Sequence, residues 1–134
     1  MPFVHKRRIY GFDCDVYGHL NNANYMHLYE EARANVLMEI GYPISKLLEM
    51  QIEIYIIDFH LRYIKPVLLE EVISIETTIT MMNRLHWTWQ QQMKNSANEV
   101  CNTAVLSGVF GYKGKPKRIP IKVVDEFMKY IIPK

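Results

Sequence analysis

The chain has 134 residues, 49% of them apolar and 22% charged, which suits one domain with a substantial core and leaves too little for two. A net charge of +2 argues against a nucleic-acid partner and leaves room only for a local basic patch. Two cysteines, Cys14 and Cys101, make no disulfide framework and no CxxC pair, and no apolar run is long enough to span a bilayer. A single domain over 1–134 in the cytoplasm is expected.

Met1-Pro2 leads directly into a strand-like segment, without a signal-peptide or lipidation pattern. Residues 3–12 alternate loosely, with Val4, Tyr10 and Phe12 on one side and Phe3 and Ile9 on the other; Lys6, Arg7 and Arg8 make this an edge strand. Next comes Asp13-Cys14-Asp15-Val16-Tyr17-Gly18-His19-Leu20-Asn21-Asn22-Ala23-Asn24-Tyr25, a connector crowded with carboxylates, amides and a histidine. From Asn24 the period becomes 3.6, and Tyr25, Leu28, Tyr29, Ala32, Val36 and Ile40 form one stripe. Asn22 or Asn24 suits the N-cap and Gly41 the C-terminal stop, while Pro43 opens a short second helix through about Met50.

After Gln51 the period is 2. Tyr55, Ile57, Phe59, Leu61 and Tyr63 share one face, with Asp58, His60 and Arg62 on the other. A second strand places Ile73, Ile75, Thr77, Ile79 and Met81 together, and a turn at Asn83-Arg84 leads to a third with Leu85, Trp87, Trp89 and Met93. Residues 95–98 turn into a fourth strand over 100–112, followed by a loop at 113–116 and a terminal helix over 123–131. Consecutive hairpins predict an α+β fold, one long helix against a five-stranded antiparallel sheet. Ile54 and Ile56 share the side of Asp58 and His60. One helix cannot cover both faces, so a second copy of the chain is the expected remedy.

Asp13-Cys14-Asp15, Gly18-His19-Leu20-Asn21-Asn22-Ala23, Tyr25 and Glu30-Glu31-Ala32-Arg33 together carry a resemblance. They are similar to the signature of the 4-hydroxybenzoyl-CoA thioesterase-like, hotdog-fold acyl-CoA thioesterases, and the order of elements matches over nearly the whole chain. The resemblance implies a hotdog fold and hydrolysis of an acyl-CoA thioester to free acid and CoA. It implies no metal and no cofactor, coenzyme A being part of the substrate. It also implies a homodimer or homotetramer with active sites at subunit interfaces. The family's catalytic aspartate falls on Asp15, and the helix start near Asn22 and Ala23 would offer a backbone N–H to the thioester carbonyl. Founding members carry other residues where this chain has histidine and paired asparagines, so 4-hydroxybenzoyl-CoA itself is not implied as substrate.

Thioester hydrolysis needs a nucleophile or an activated water, and stabilisation of the carbonyl oxygen as it gains charge. Asp15 can serve as nucleophile or as general base; the plain alternative is an aspartate closing a turn. Asp13 is read as a structural group bonding loop N–H groups or Arg33, and Cys14 as a poor nucleophile because its flanking carboxylates disfavour the thiolate. His19 either positions water or substrate, or holds the loop. Tyr25 and Tyr29 line the acyl pocket or pack in the core. The phosphates of CoA call for cations. Lys113, Lys115, Lys117, Arg118 and Lys122, five cations with no acid between them, are candidates, as is Arg84 at its hairpin turn. Two alternatives carry different chemistry: hydrolysis of the same acyl groups on an acyl carrier protein, which the basic segment would meet, and a non-catalytic acyl-CoA binding module.

Overall fold

In the computed structural model, which describes residues 2–131, the 3.6-residue stripe becomes helix α1 (Asn24–Ile40). Its buried residues are Tyr25, Leu28, Tyr29, Ala32, Val36 and Leu37, one continuous face. Gly41 stops it as expected: with φ of 98° it occupies the left-handed region, and the N–H groups of Gly41 and Tyr42 turn back to the Leu37 carbonyl at 3.1 and 2.9 Å. The N-terminus corrects the sequence reading. Ala23 is the N-cap and no side chain caps the helix. The Asn24 amide instead donates to the Asp13 carbonyl at 2.8 Å, and Asn22 makes no cap. Pro43 precedes the short helix α2 (Ile44–Glu49).

The strands are β1 (Phe3–Arg8), β2 (Glu53–Tyr63), β3 (Val72–Met82), β4 (His86–Lys94) and β5 (Val100–Tyr112), with a two-residue β6 (Lys115–Pro116) where a loop was expected and α3 (Ile121–Met128) closing the described chain. All pairings are antiparallel and the order is β1-β3-β4-β5-β2, with β6 added to β5. β2 therefore does not form a hairpin with β3; it crosses to pair with β5. The connection over 64–71 is not a tight turn because its backbone is engaged elsewhere. The Val67 carbonyl accepts from Leu20 N–H at 2.8 Å, Leu69 N–H reaches the Gly18 carbonyl at 3.0 Å, and His19 bridges Leu68. This link thus serves as the floor of the 13–23 loop.

Two bulges also correct the predicted faces. Register shifts between Ile56 and Asp58, so Ile57 is the extra residue in β2 and the alternation inverts there. Ile54 and Ile56 pair with Phe110 and Gly108, and Phe59 and Leu61 with Leu106 and Ala104. All four point to the helix side, whereas Tyr55 and Ile57 do not share that face. A second shift between Ile79 and Met81 hands the core position to Met82 and leaves Met81 exposed.

The core divides along α1. Its first half, Tyr25 to Ala32, packs with Ile73, Ile75, Met93, Cys101 and Ala104. Its last turns, Val36 and Leu37, pack with Met82, Trp87, Trp89, Leu106 and Phe110, roofed by Val123 and Phe127 of α3. No described helix is long and apolar enough to cross a membrane.

Candidate active site

The loop between β1 and α1 is built on Asp13. Its buried carboxylate takes the Arg7 guanidinium, bidentate, and the Tyr10 N–H at 2.8 Å. Its backbone carbonyl accepts from Asn21 N–H at 3.0 Å and from the Asn24 amide. Burial works to raise the Asp13 pKa. The bond and charge of Arg7 and the Tyr10 N–H outweigh it, and hold the carboxyl below its ordinary range. The partner is Arg7, not Arg33.

Two residues on, Asp15 closes a small hairpin. Its N–H donates to the His19 carbonyl at 2.9 Å, and its Oδ1 accepts from Tyr17 N–H at 2.9 Å and His19 N–H at 3.3 Å. Gly18, with φ of 75°, makes the return. Among the described residues Oδ2 of Asp15 accepts no hydrogen bond, and the side chain is partly exposed. A turn-closing oxygen and an unbonded one are thus both present in one carboxylate. Cys14, between the two aspartates, is raised above its usual thiol range by burial first and then by both neighbouring charges.

Helix α1 begins beside this hairpin. The first four N–H groups of a helix lack intrahelical partners. Here Ala23 N–H goes to Asn21 Oδ1 at 2.9 Å and Asn24 N–H to the Asn21 carbonyl at 2.9 Å. The Ala23 N–H is therefore engaged, and the amides of Tyr25 and Met26 remain the helix-end donors, with no acid in the first turn to occupy them. The Asn22 carbonyl accepts the Tyr63 hydroxyl at 3.0 Å, which ties the loop to the end of β2. His19 is half-buried, and its backbone joins the hairpin to the 64–71 link.

Tyr25 is buried edge-on to Tyr63, ring centres 5.1 Å apart. Tyr29 has no exposed surface; its hydroxyl donates to Asn102 Oδ1 at 2.8 Å, and burial pushes the phenol far up. Both tyrosines sit in the core beneath the loop, outside the lining of the cavity described next. Arg84, Lys115 and Arg118 lie at the other end of the molecule. Arg84 Nε donates to the Ile119 carbonyl at 2.8 Å, and Ile119 N–H returns to the Arg84 carbonyl at 2.8 Å, which brings Arg84 beside Arg118. Lys115 is exposed on β6. Ile119, next to Arg118, packs with Val36 and Leu37 in the last turns of α1, whereas the Asp15 hairpin lies at the start of that helix, so most of its 17 residues run between the two.

A cavity of about 380 Å³ opens along the second half of α1. Arg33, Ala34 and Leu37 form one side and Trp87, Trp89 and Phe110 of the sheet another, with Phe127 of α3 at the far end. The sequence offered Arg33 only as a partner for Asp13 and as part of the motif, not as a cavity residue. Its Nη1 reaches inward to Gln91 Oε1 at 3.0 Å. Gln91 in turn donates to the Tyr29 carbonyl and to Thr77 Oγ1. Only the glutamine at an inward position of β4, Trp87-Trp89-Gln91-Met93, signalled in advance that a polar partner must cross from the helix. Among the described residues no cluster of three His, Cys, Asp or Glu side chains could hold a metal ion.

A long helix laid across a curved antiparallel sheet of order β1-β3-β4-β5-β2, with a carboxylate poised at the helix mouth, defines the hotdog class. Residues 12–129 match the Thioesterase-like superfamily, and the chain belongs to that family. The chain is 28% identical over 122 residues, 90% of its own length and 91% of the relative's, to the acyl-CoA thioester hydrolase YbgC of Escherichia coli. Among solved structures, a hypothetical protein from Aquifex aeolicus superposes with a TM-score of 0.87 at 25% identity, covering 93% of this chain and 98% of that one. The DHNA-CoA thioesterase from Staphylococcus aureus does so at 0.88 and 17% identity, covering 96% and 89%.

Proposed function

We propose that the chain hydrolyses an acyl-CoA thioester, with Asp15 as the group that delivers or activates the nucleophile. One observation carries this reading: Asp15 has Oδ1 fixed by two loop N–H groups and Oδ2 open, beside a helix end that no side chain caps. In the water route Oδ2 takes a proton as water oxygen attacks the carbonyl carbon. The helix-end N–H groups stabilise the resulting oxyanion, and collapse expels the CoA thiolate, which accepts the proton. In the nucleophilic route Oδ2 itself attacks, and water then cleaves the mixed anhydride. A thiolate departs readily, so neither route asks for a strong acid. The activity of the curated relative and the family membership point to the same reaction.

The CoA phosphates are assigned to Lys115, Arg118 and Arg84, and His19 to holding the loop around Asp15. Because those cations and Asp15 occupy opposite ends of one chain, the working site joins Asp15 of one copy to the basic end of another. Free CoA released from a panel of acyl-CoA substrates tests the reaction, against the same acyl groups on a carrier protein. Asp15→Asn keeps the Oδ1 acceptor, so its melting temperature should stay put while kcat falls by at least ~100-fold. Turnover near that of the unaltered protein would remove Asp15 from the chemistry. Binding of acyl-CoA without any CoA release would make the chain a binding module instead.

A further inference from the structure

The cavity beside α1 is polar at one end only. Along the helix it runs from Glu30 and Arg33 to Leu37, so Arg33 stands at the end nearer the helix N-terminus. Along β4 it takes in Trp87 and Trp89 but stops short of Gln91, which Arg33 bonds just beyond. From Arg33 onward the wall is aliphatic and aromatic as far as Ile119 and Phe127.

Arg33 is held in place there by Gln91 Oε1 at 3.0 Å and by the face of Phe59, 5.5 Å from the ring centre. A guanidinium has five N–H donors, and Gln91 takes one of them. Among the described residues no carboxylate pairs with Arg33, whereas Arg7 meets both Asp13 and Glu31. Glu30, the one acid on the cavity wall, is solvent-exposed and acts on Arg33 only through its charge. Arg33 is half-buried, and burial pushes its pKa down to about 10 against that charge. A withdrawn cation without a partner is costly, and an anion that meets its free donors offsets the cost.

We propose that this cavity binds an amphipathic carboxylate of the fatty-acid type, its head group on Arg33 and its apolar chain running toward Phe127. Its volume of about 380 Å³ falls within the range of small-molecule sites, roughly 300–1,000 Å³. The ligand has the chemistry of the acid that thioester hydrolysis releases, yet the site assignment needs no turnover.

Trp87 and Trp89 are the chain's two tryptophans and both line the cavity, so intrinsic fluorescence reads its occupancy. The protein is titrated with decanoate and, separately, with decan-1-ol, each below its micelle concentration. Decanoate should bind at least ~10-fold more tightly than the alcohol, the range expected of hydrogen bonds to a charged group. Arg33→Met should abolish that preference while leaving the alcohol unchanged, and Arg33→Lys should keep part of it. Equal affinity for the two ligands in the unaltered protein overturns the proposal without recourse to any variant. So does an Arg33→Met protein of unchanged circular dichroism that still prefers decanoate. A tryptophan signal that responds to protein dilution but not to decanoate assigns the cavity to a second copy of the chain, and also overturns it. None of these readouts involves CoA, so failure of the hydrolase reading and failure of this one are told apart.

Discussion

Asp13 and Asp15 lie two residues apart, yet their carboxylates meet different surroundings. Asp13 is buried against Arg7 and the Tyr10 N–H, so all its capacity serves the loop. Its pKa is held below the ordinary 3.8. A depressed carboxyl contributes stability that is present above the unfolded value and lost as pH falls through the folded one. Asp13→Asn should therefore cost about 2 kcal/mol in urea unfolding at neutral pH, the scale of a charged hydrogen bond. The difference between the two proteins should shrink as pH falls below 3.8 and on through the lower folded value, where the unaltered Asp13 takes up its proton as well. A gap that persists unchanged in acid would show that shape, not charge, is what Asp13 supplies. Asp15, by contrast, gives one oxygen to its hairpin and keeps the other open, so the same residue type at spacing two is spent on the loop in one case and left available for the proposed chemistry in the other.

At the scale of elements, the bulge at Ile57 decides how β2 meets the rest of the sheet. Beside it, the Tyr55 carbonyl and the Trp87 ring approach Gly108 so closely that an added Cβ has no room. Gly108→Ala should destabilise the fold by roughly 3 kcal/mol, the upper end of ordinary overpacking, because a backbone carbonyl cannot step aside as a side chain can. Thermal unfolding checks this; a loss under about 0.5 kcal/mol would mean the bulge relaxes freely. The same bulge marks where sequence reasoning stops. α1, β3 and β4 were legible because long runs of one period sum many weak preferences, and Gly41 ends α1 for a steric reason that needs no tertiary context. One inserted residue inverts a strand's faces without leaving any residue type behind, and the 54–57 run is Ile-Tyr-Ile-Ile, apolar whichever way it points. Ile54 and Ile56 face the helix rather than the side of Asp58 and His60, while Ile56 and Ile57 remain exposed. The 13–23 loop was legible as a site, since its polar residues had no packing purpose. Arg33 was not, since a cation among glutamates looks solvated until the glutamine across from it is placed.

For the molecule as a whole, the proposed roles of Asp15 and of Arg84, Lys115 and Arg118 call for assembly, since the two sets lie apart within one chain. The protein should run as a dimer or larger in sizing with light scattering. Lys115→Gln combined with Arg118→Gln should raise KM for acyl-CoA far more than it lowers kcat, since such contacts bind substrate and transition state alike. Mixing that double variant with Asp15→Asn and allowing subunits to exchange should restore activity at low substrate. A mixed pair contains one site with both wild-type halves only if the halves come from different copies. No recovery after verified exchange would place both halves in one chain.

The two ends of the sheet are not equivalent. β1 closes one side with Lys6, Arg7 and Arg8, and Arg8 is folded back onto the Glu70 carbonyl at 2.7 Å. β2 closes the other with a kinked strand that exposes Ile56 and Ile57 ahead of Asp58, His60 and Arg62. Cations along a border repel an approaching strand, whereas an apolar border invites one. A chain with a single receptive border can join a second only by presenting the same border back, and that contact is its own mirror under a twofold axis. Once made, it leaves nothing for a third chain to add to along the sheet. On that arrangement, growth into an endless ribbon, the standing hazard of any open sheet, would be closed off by geometry.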